Sequence, residues 1–451
     1  MAEVALLQKI FVTACAVTRT TNLAARWIGA APFLPKLFVL RYANMGGLDH
    51  TDFAHQIRDA RSFRDDRWCA HWNSIAALHT RRATDLLREL AGNGGTVVPD
   101  LTDPAAGTAD AHVAALAELI APGAALFADH GPQSGLQAIT TIVDMHTAPA
   151  DRPRTLLAYK AIDAWVKAIT YYQVGAFPGH STHRMQAYWR SQNLFDTLIS
   201  AMAPAIDVTV EEVEIPVTDG DTVRGWLVLP PGPGPHPLVV TTNGLEGTVQ
   251  ELAVAQLRYR GSGLATLMME MPGSYSYSNP MRPESETIYR QVIDHLIADT
   301  RIDPARIAMV GVSFGGYWAA RMASSDDRLT CAVACGAPTH HSFNGGVLGT
   351  PEIIIGALSF TLGATNPIFL IRALKALAIR DRYPHITIPL LAINGDHDTL
   401  MSTQDTIDLA EQAPKGELLL YPDDDHCAMR HYRQWLDYSH GWLTEHLAQL
   451  K

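Results

Sequence analysis

The spacing of apolar positions changes near residue 205. Before it, Trp68, Trp72, Ile75, Leu86 and Leu90 recur on one helical stripe of a segment that closes at Gly92-Asn93-Gly94-Gly95. The same periodicity predicts helices near 109–121, 134–146, 153–174 and 182–203. Joints are expected at Pro104, Pro122-Gly123, Pro132 and Phe177-Pro178-Gly179, where the residue types break a helix. No internal repeat is visible. The stretch 92–153 is rich in Ala, Gly, Pro and Thr and reads as an insertion or as a loosely specified surface. Across 353–379 runs a long apolar stretch, interrupted by Asn366, Pro367, Arg372 and Lys375 where lipid would penalise them. It is predicted to be a buried helical hairpin.

After residue 206 the pattern alternates between strands and helices. Residues 208–217 and 222–230 alternate apolar with polar side chains around Asp219-Gly220-Asp221, the signal of a hairpin. A rigid Pro/Gly loop at 231–237 leads into the apolar run 238–242. Further apolar runs at 264–269, 306–310, 330–335, 388–393 and 417–421 are separated by helix-length segments. Continuous Val/Ile/Leu runs mean strands covered on both faces, so a mostly parallel sheet flanked by helices is expected over 206–451. An all-helical region over 1–205 precedes it.

Composition narrows the classes of function. Thirty-five Lys and Arg against 46 Asp and Glu leave a formal charge of −11, which argues against nucleic acid or an anionic membrane as partner. At 47% hydrophobic and 18% charged residues the chain has the material for a packed core. Five scattered cysteines, an odd count, read as reduced thiols and point to a cytoplasmic protein. Cys331 and Cys335 are spaced more widely than a Cys-x-x-Cys pair and have no finger-spaced partners, so no metal is expected. The apolar residues 10–17 are too few to span a bilayer.

Three strand ends carry reactive side chains, and in open parallel sheets sites lie at the carboxyl ends of strands. Gly311-Val312-Ser313-Phe314-Gly315 follows an apolar strand and precedes a helix. That is the setting of a Gly-x-Ser-x-Gly nucleophile elbow, whose tight turn demands small flanking residues. A serine needs a base, and the base needs a carboxylate to hold its tautomer. His426, after the last strand, supplies the base. Asp396 and Asp398 both qualify as the acid, and either could instead cap the helix that begins near Ser402. The oxyanion donors are expected at the amide of Phe314 and at Leu245 or Glu246 in the loop Asn243-Gly244-Leu245-Glu246-Gly247. One such donor is worth about 3 kcal/mol of barrier. Thr248 and Glu251 form a Thr-x-x-Glu capping box on paper, which would set Glu246 just ahead of a helix amino terminus.

With the order Ser, Asp, His in place, residues 206–451 resemble the α/β-hydrolase superfamily, and the whole chain resembles its subgroup with an amino-terminal helical cap. That subgroup includes fermentation-respiration-switch type esterases, 2,6-dihydroxypseudooxynicotine hydrolase and fungal pigment-pathway hydrolases that shorten heptaketides. The Pro/Gly loop, Gly244 to Thr248, Met271-Pro272-Gly273, the elbow, the acid and the histidine carry the likeness. The paired tryptophans of 66–72 and Tyr171-Tyr172 look like the cap, so a cap domain over 1–205 and a catalytic domain over 206–451 are expected. The family's Gly-x-x-Asp pattern lands on Asp398, and its loop glutamate on Glu246.

The resemblance implies a Ser313–His426–Asp398 enzyme without a cofactor, acting through an acyl-enzyme on a small carbonyl compound. Cleavage of a carbon–carbon bond beside a ketone, in a β-dicarbonyl, aryl ketone or polyketide-like substrate, stands first. Ester, lactone or thioester hydrolysis, acyl transfer or cyclisation by the same triad, and a silent ligand receptor are the alternatives. Tyr171, Tyr172, Tyr275 and Trp318 are candidates to line the substrate pocket with Glu246. A homodimer is compatible with the sequence.

Overall fold

A computed structural model describes residues 2–92, 97–103, 110–345 and 349–448. The expected strands all form, with shifted ends. They are β1 (Thr209–Pro216), β2 (Thr222–Leu229), β3 (His236–Thr242), β4 (Ala265–Met269), β5 (Ile302–Val312), β6 (Leu329–Cys335), β7 (Leu390–Gly395) and β8 (Gly416–Tyr421). They make one sheet in the order β1-β2-β4-β3-β5-β6-β7-β8. The hairpin β1–β2 and the β2–β4 pairing are antiparallel, and every later pairing is parallel. Strands β3, β5, β6 and β7 are buried nearly throughout, which is why they read as unbroken apolar runs.

The amino-terminal region is helical. Its long members are Asp65–Ala91, Asp110–His130, Arg152–Ala176 and Thr182–Met202. Pro122 does not end a helix as expected: it lies inside Asp110–His130. At the next residue, a Cβ on Gly123 would stand 2.6 Å from the Tyr159 amide nitrogen, so this turn presses against Arg152–Ala176 and packing holds what the proline would break. Within 92–153, Leu116, Ile120, Phe127, Ile139 and Val143 are buried against Arg152–Ala176 and Thr182–Met202. The described part of that stretch therefore gives one buried face to the helical core, while residues such as 134–137 and 144–146 are exposed. Asn93 to Thr96 and the Pro104 joint lie outside the described residues.

The 353–379 hairpin forms as Glu352–Thr361 and Pro367–Ala376, but it is not buried. Ile368, Phe369 and Ile371 are 65, 52 and 45% exposed, and Leu370 is the buried residue of the second helix. Only the first helix turns a stripe, Ile354, Ala357 and Leu358, toward the core.

Candidate active site

Ser313 caps the carboxyl end of β5, with φ 59° and ψ −123°, and the helix Phe314–Ala323 starts at the next residue. A side chain on Gly311 would meet the Gly315 carbonyl oxygen at 1.9 Å, so the bend closes only with glycine there. The left-handed backbone lifts the hydroxyl clear of the sheet, where His426 Nε2 lies 2.9 Å from Ser313 Oγ. His426 follows β8, and its Nδ1 is 2.7 Å from Asp398 Oδ2, beyond the end of β7. The histidine and aspartate side chains are 2% and 0% exposed.

Four hydrogen bonds fix the Asp398 carboxylate. Oδ1 accepts from the amides of Leu400 and Met401 at 2.8 and 2.7 Å, and Oδ2 accepts from Asn394 Nδ2 at 3.0 Å as well as meeting His426. Burial alone would raise the Asp398 pKa, but the facing imidazole and these donors hold it below the ordinary carboxylate value. Burial likewise opposes charge on His426, yet the Asp398 carboxylate raises its proton affinity well above that of a free imidazole. Asp396, the other acid the sequence offered, instead pairs with the exposed His397, Nδ1 to Oδ1 at 2.5 Å. Neither aspartate makes a side-chain cap on Thr403–Gln412.

Asn394 was not singled out by the sequence. Its carbonyl oxygen accepts from the Cys427 amide at 2.9 Å while its amide holds Asp398, so one side chain ties the acid loop to the histidine loop. A polar residue ending an otherwise apolar strand was the available signal.

The loop after β3 faces the serine. A Cβ on Gly244 would stand 2.6 Å from Ser313 Cβ, so the backbone of this loop lies directly against Ser313. Among the described residues no acceptor takes the amide hydrogen of Leu245 or of Phe314. The threonine half of the capping box does not form: the Thr248 side chain makes no cap bond. Thr248 Oγ1 accepts from Gln173 Nε2 at 2.9 Å, and Glu251 is drawn off by Arg41, whose Nε and Nη2 donate to its two oxygens at 2.9 and 2.8 Å.

A cavity of about 90 Å³ opens over Ser313 and His426. Phe38, Arg41 and Phe177 of the helical region close it from above, and Ile354 and Leu358 from the side. Its wall does not include the residues expected to line it. Tyr171 hydrogen-bonds Gln56 and stacks on Trp72 and His79 within the helical core. Tyr172 packs between the two largest apolar clusters. Trp318, on the helix Phe314–Ala323 itself, packs against Tyr289 and Tyr317. Tyr275 stacks face to face on Tyr188 at 4.5 Å. Large apolar side chains on helices that pack on both sides are consumed by the core before they reach a pocket. Glu246 also turns away: its Oε2 accepts from the Gly179 amide at 2.9 Å and its Oε1 lies 3.8 Å from His180 Nδ1.

All five cysteines are unpaired and buried. Among the described residues no group of three His, Cys, Asp or Glu is placed to hold a metal ion.

The sequence profile of the family described as "Esterase FrsA-like" matches residues 154–448, well over half of the chain. The chain belongs to the FrsA-like family. Esterase FrsA of Escherichia coli O139:H28 is 24% identical over 296 residues, which is 63% of this chain and 70% of that protein. Esterase FrsA of Enterobacter sp. strain 638 is 26% identical over 204 residues, covering 44% of this chain and about half, 49%, of that relative. Among solved structures, 2,6-dihydroxy-pseudo-oxynicotine hydrolase superimposes with a TM-score of 0.57 at 22% identity, over 73% of this chain and 95% of that one. AbyA5 gives 0.57 at 21% identity, over 70% and 89%. These likenesses establish the α/β-hydrolase fold with its helical amino-terminal region. The FrsA-like profile begins at residue 154, so the helices of 110–146 lie ahead of what the family shares.

Proposed function

We propose that this FrsA-like α/β-hydrolase is a serine hydrolase that cleaves a carbon–carbon bond beside a ketone in a small dicarbonyl, aryl ketone or polyketide-like molecule. The supporting observation is the unbroken run Asp398–His426–Ser313, bonded at 2.7 and 2.9 Å on the floor of a largely apolar cavity. Asp398 holds the imidazole so that Nε2 faces the hydroxyl. Ser313 Oγ adds to a substrate carbonyl carbon as His426 takes its proton, and the amides of Leu245 and Phe314 receive the oxyanion. The tetrahedral adduct collapses by breaking the bond to the neighbouring carbon. That carbon leaves with the electron pair as an enolate or electron-rich aryl carbanion and takes the proton from His426. Water, deprotonated by His426, then releases the acyl group as a carboxylic acid and restores the serine.

Ester hydrolysis is the second reading, favoured by the esterase description of the family. It uses the same atoms with an oxygen leaving group. Labelling with a fluorophosphonate and locating the adduct by peptide mass tests both, and attachment at Ser313 is expected. Ser313→Ala should lower turnover of 4-nitrophenyl acetate and of 1-phenylbutane-1,3-dione by several orders of magnitude with the fold intact. Labelling elsewhere, or persistent turnover, would refute the assignment.

A further inference from the structure

The cavity over Ser313 contains an arginine whose hydrogen-bonding capacity the protein uses only in part. Arg41 sits on the helix Phe38–Gly46, otherwise devoid of charge, and its side chain is 14% exposed while that of its partner Glu251 is 3% exposed. A guanidinium has five N–H donors in a fixed fork. Nε gives one to Glu251 Oε2, and Nη2 gives its two to Glu251 Oε1 and, at 3.1 Å, to the Glu246 carbonyl oxygen. Neither hydrogen of Nη1 meets an acceptor among the described residues. Burial pushes the Glu251 carboxyl upward, yet both its oxygens accept from the guanidinium, an arrangement that only the ionised carboxylate satisfies. The pair is therefore internally neutral, with spare donor capacity on one side.

A second polar group in the same wall is also unsatisfied. Asn243 is 4% exposed and lines the cavity, and neither end of its carboxamide has a partner. Buried polar atoms are mostly paired in a folded protein, and a water or a ligand in the cavity would pair this carboxamide. Arg41 also carries an address. By holding the Glu246 carbonyl it is tied to the residue next to Leu245, whose amide is the oxyanion donor in the reading above. Arg41, Leu245 and Ser313 line the same cavity, so a ligand seated on Ser313 shares that space with the guanidinium.

We propose that Arg41 binds the second, non-reacting carbonyl oxygen of a 1,3-dicarbonyl substrate and stabilises the enolate that departs when the carbon–carbon bond breaks. The proposal rests on the Ser313 reading and names its substrate class. In the ground state the neutral pair accepts a neutral carbonyl; a carboxylate there would face Glu251 as a second buried anion. When the bond between the attacked carbon and the central carbon breaks, the electron pair delocalises onto the second oxygen. An Nη1 hydrogen then bonds an oxygen that is gaining charge, so it acts more strongly in the transition state than in the ground state. His426 delivers the proton it took from Ser313 to the central carbon, and water completes deacylation. An activated ester needs no such help, because its leaving oxygen is already a stable anion.

The experiment compares kcat/KM for 1-phenylbutane-1,3-dione and for 4-nitrophenyl acetate in the wild type, in Arg41→Lys and in Arg41→Met/Glu251→Leu. The lysine variant keeps an ion pair with Glu251, and the double variant leaves no lone buried charge, so folding does not depend on a single replacement. Within each variant the ratio of dione to ester turnover should fall by at least tenfold, and toward a hundredfold, the range for losing an oxyanion donor. An unchanged ratio in both variants overturns the proposal. So does a wild type that hydrolyses the ester through Ser313 but leaves the dione intact, a result that would keep the hydrolase reading and discard this one. Turnover of neither substrate, or turnover that survives Ser313→Ala, would instead remove the hydrolase reading on which the proposal stands.

Discussion

Replacing Asp398 by Asn tests the electrostatic logic of the site at a single atom. The carboxylate uses both oxygens: one takes two backbone amides, the other takes Asn394 and the imidazole. An asparagine can direct its carbonyl oxygen to only one of these sides. Facing the amides of Leu400 and Met401, it presents NH₂ to His426 Nδ1, which must then become the acceptor. The proton moves to Nε2, and Nε2–H points at Ser313 Oγ, where a base is required. Loss of the correct tautomer is worth about 10⁴-fold in kcat, or about 5.4 kcal/mol of barrier. Asp396→Asn removes the charge that pairs with His397, whose side chain is 70% exposed, and a surface change of this kind should stay within about 0.5 kcal/mol, roughly twofold. Steady-state hydrolysis of 4-nitrophenyl acetate measures both variants, and circular dichroism verifies that each is folded. If Asp396→Asn were the crippled variant, or Asp398→Asn retained activity within tenfold of wild type, the account of this triad would be wrong.

The raised proton affinity of His426 makes a second expectation about pH. The base must be neutral, so kcat/KM should climb with pH through a midpoint above about 6.5, the free imidazole value. The ion pair with Asp398 contributes stability that is complete below the unfolded histidine pKa and is lost as pH rises through the folded one. Activity should therefore increase across a window in which this contribution to the melting temperature declines. On the acid side Asp398, held low, gives up its share only as pH falls through its depressed value. A third expectation concerns Gly244. Its alanine Cβ would stand 2.6 Å from Ser313 Cβ and 3.0 Å from Oγ, so Gly244→Ala should cost about a hundredfold in kcat with unaltered far-ultraviolet dichroism. Wild-type kinetics in that variant would mean that the loop does not rest on the nucleophile.

The contrast between Ser313 and Arg41 shows which parts of such a site a single chain reveals. Ser313, Asp398 and His426 each sit at a strand end, so a local pattern, an apolar run and then a turn, marks each of them before any contact is known. Asp398 was the least determined of the three because Asp396 shares its loop; what separates them is that Asp398 collects the amides of Leu400 and Met401, a turn no composition rule records. The strands were legible for the same local reason: β3, β5, β6 and β7 are buried on both faces. Pro122 and the exposed hairpin of Glu352–Thr361 and Pro367–Ala376 were misjudged because the outcome rests on which neighbour packs against them.

Arg41 has no such marker. It contacts Glu251 from 210 positions away and Glu246 from 205, and both of those residues had satisfactory local roles on paper, one in a capping box and one ahead of a helix end. A capping box is worth about 1 kcal/mol, whereas a buried arginine stripped of its carboxylate costs several times that. Glu251 therefore binds the longer-range partner, and the Thr248 hydroxyl takes Gln173 instead of capping the helix. An arginine on a helix is ordinarily exposed, so the residue type of Arg41 does not mark a buried pair; only the contact with Glu251, brought in from far along the chain, does.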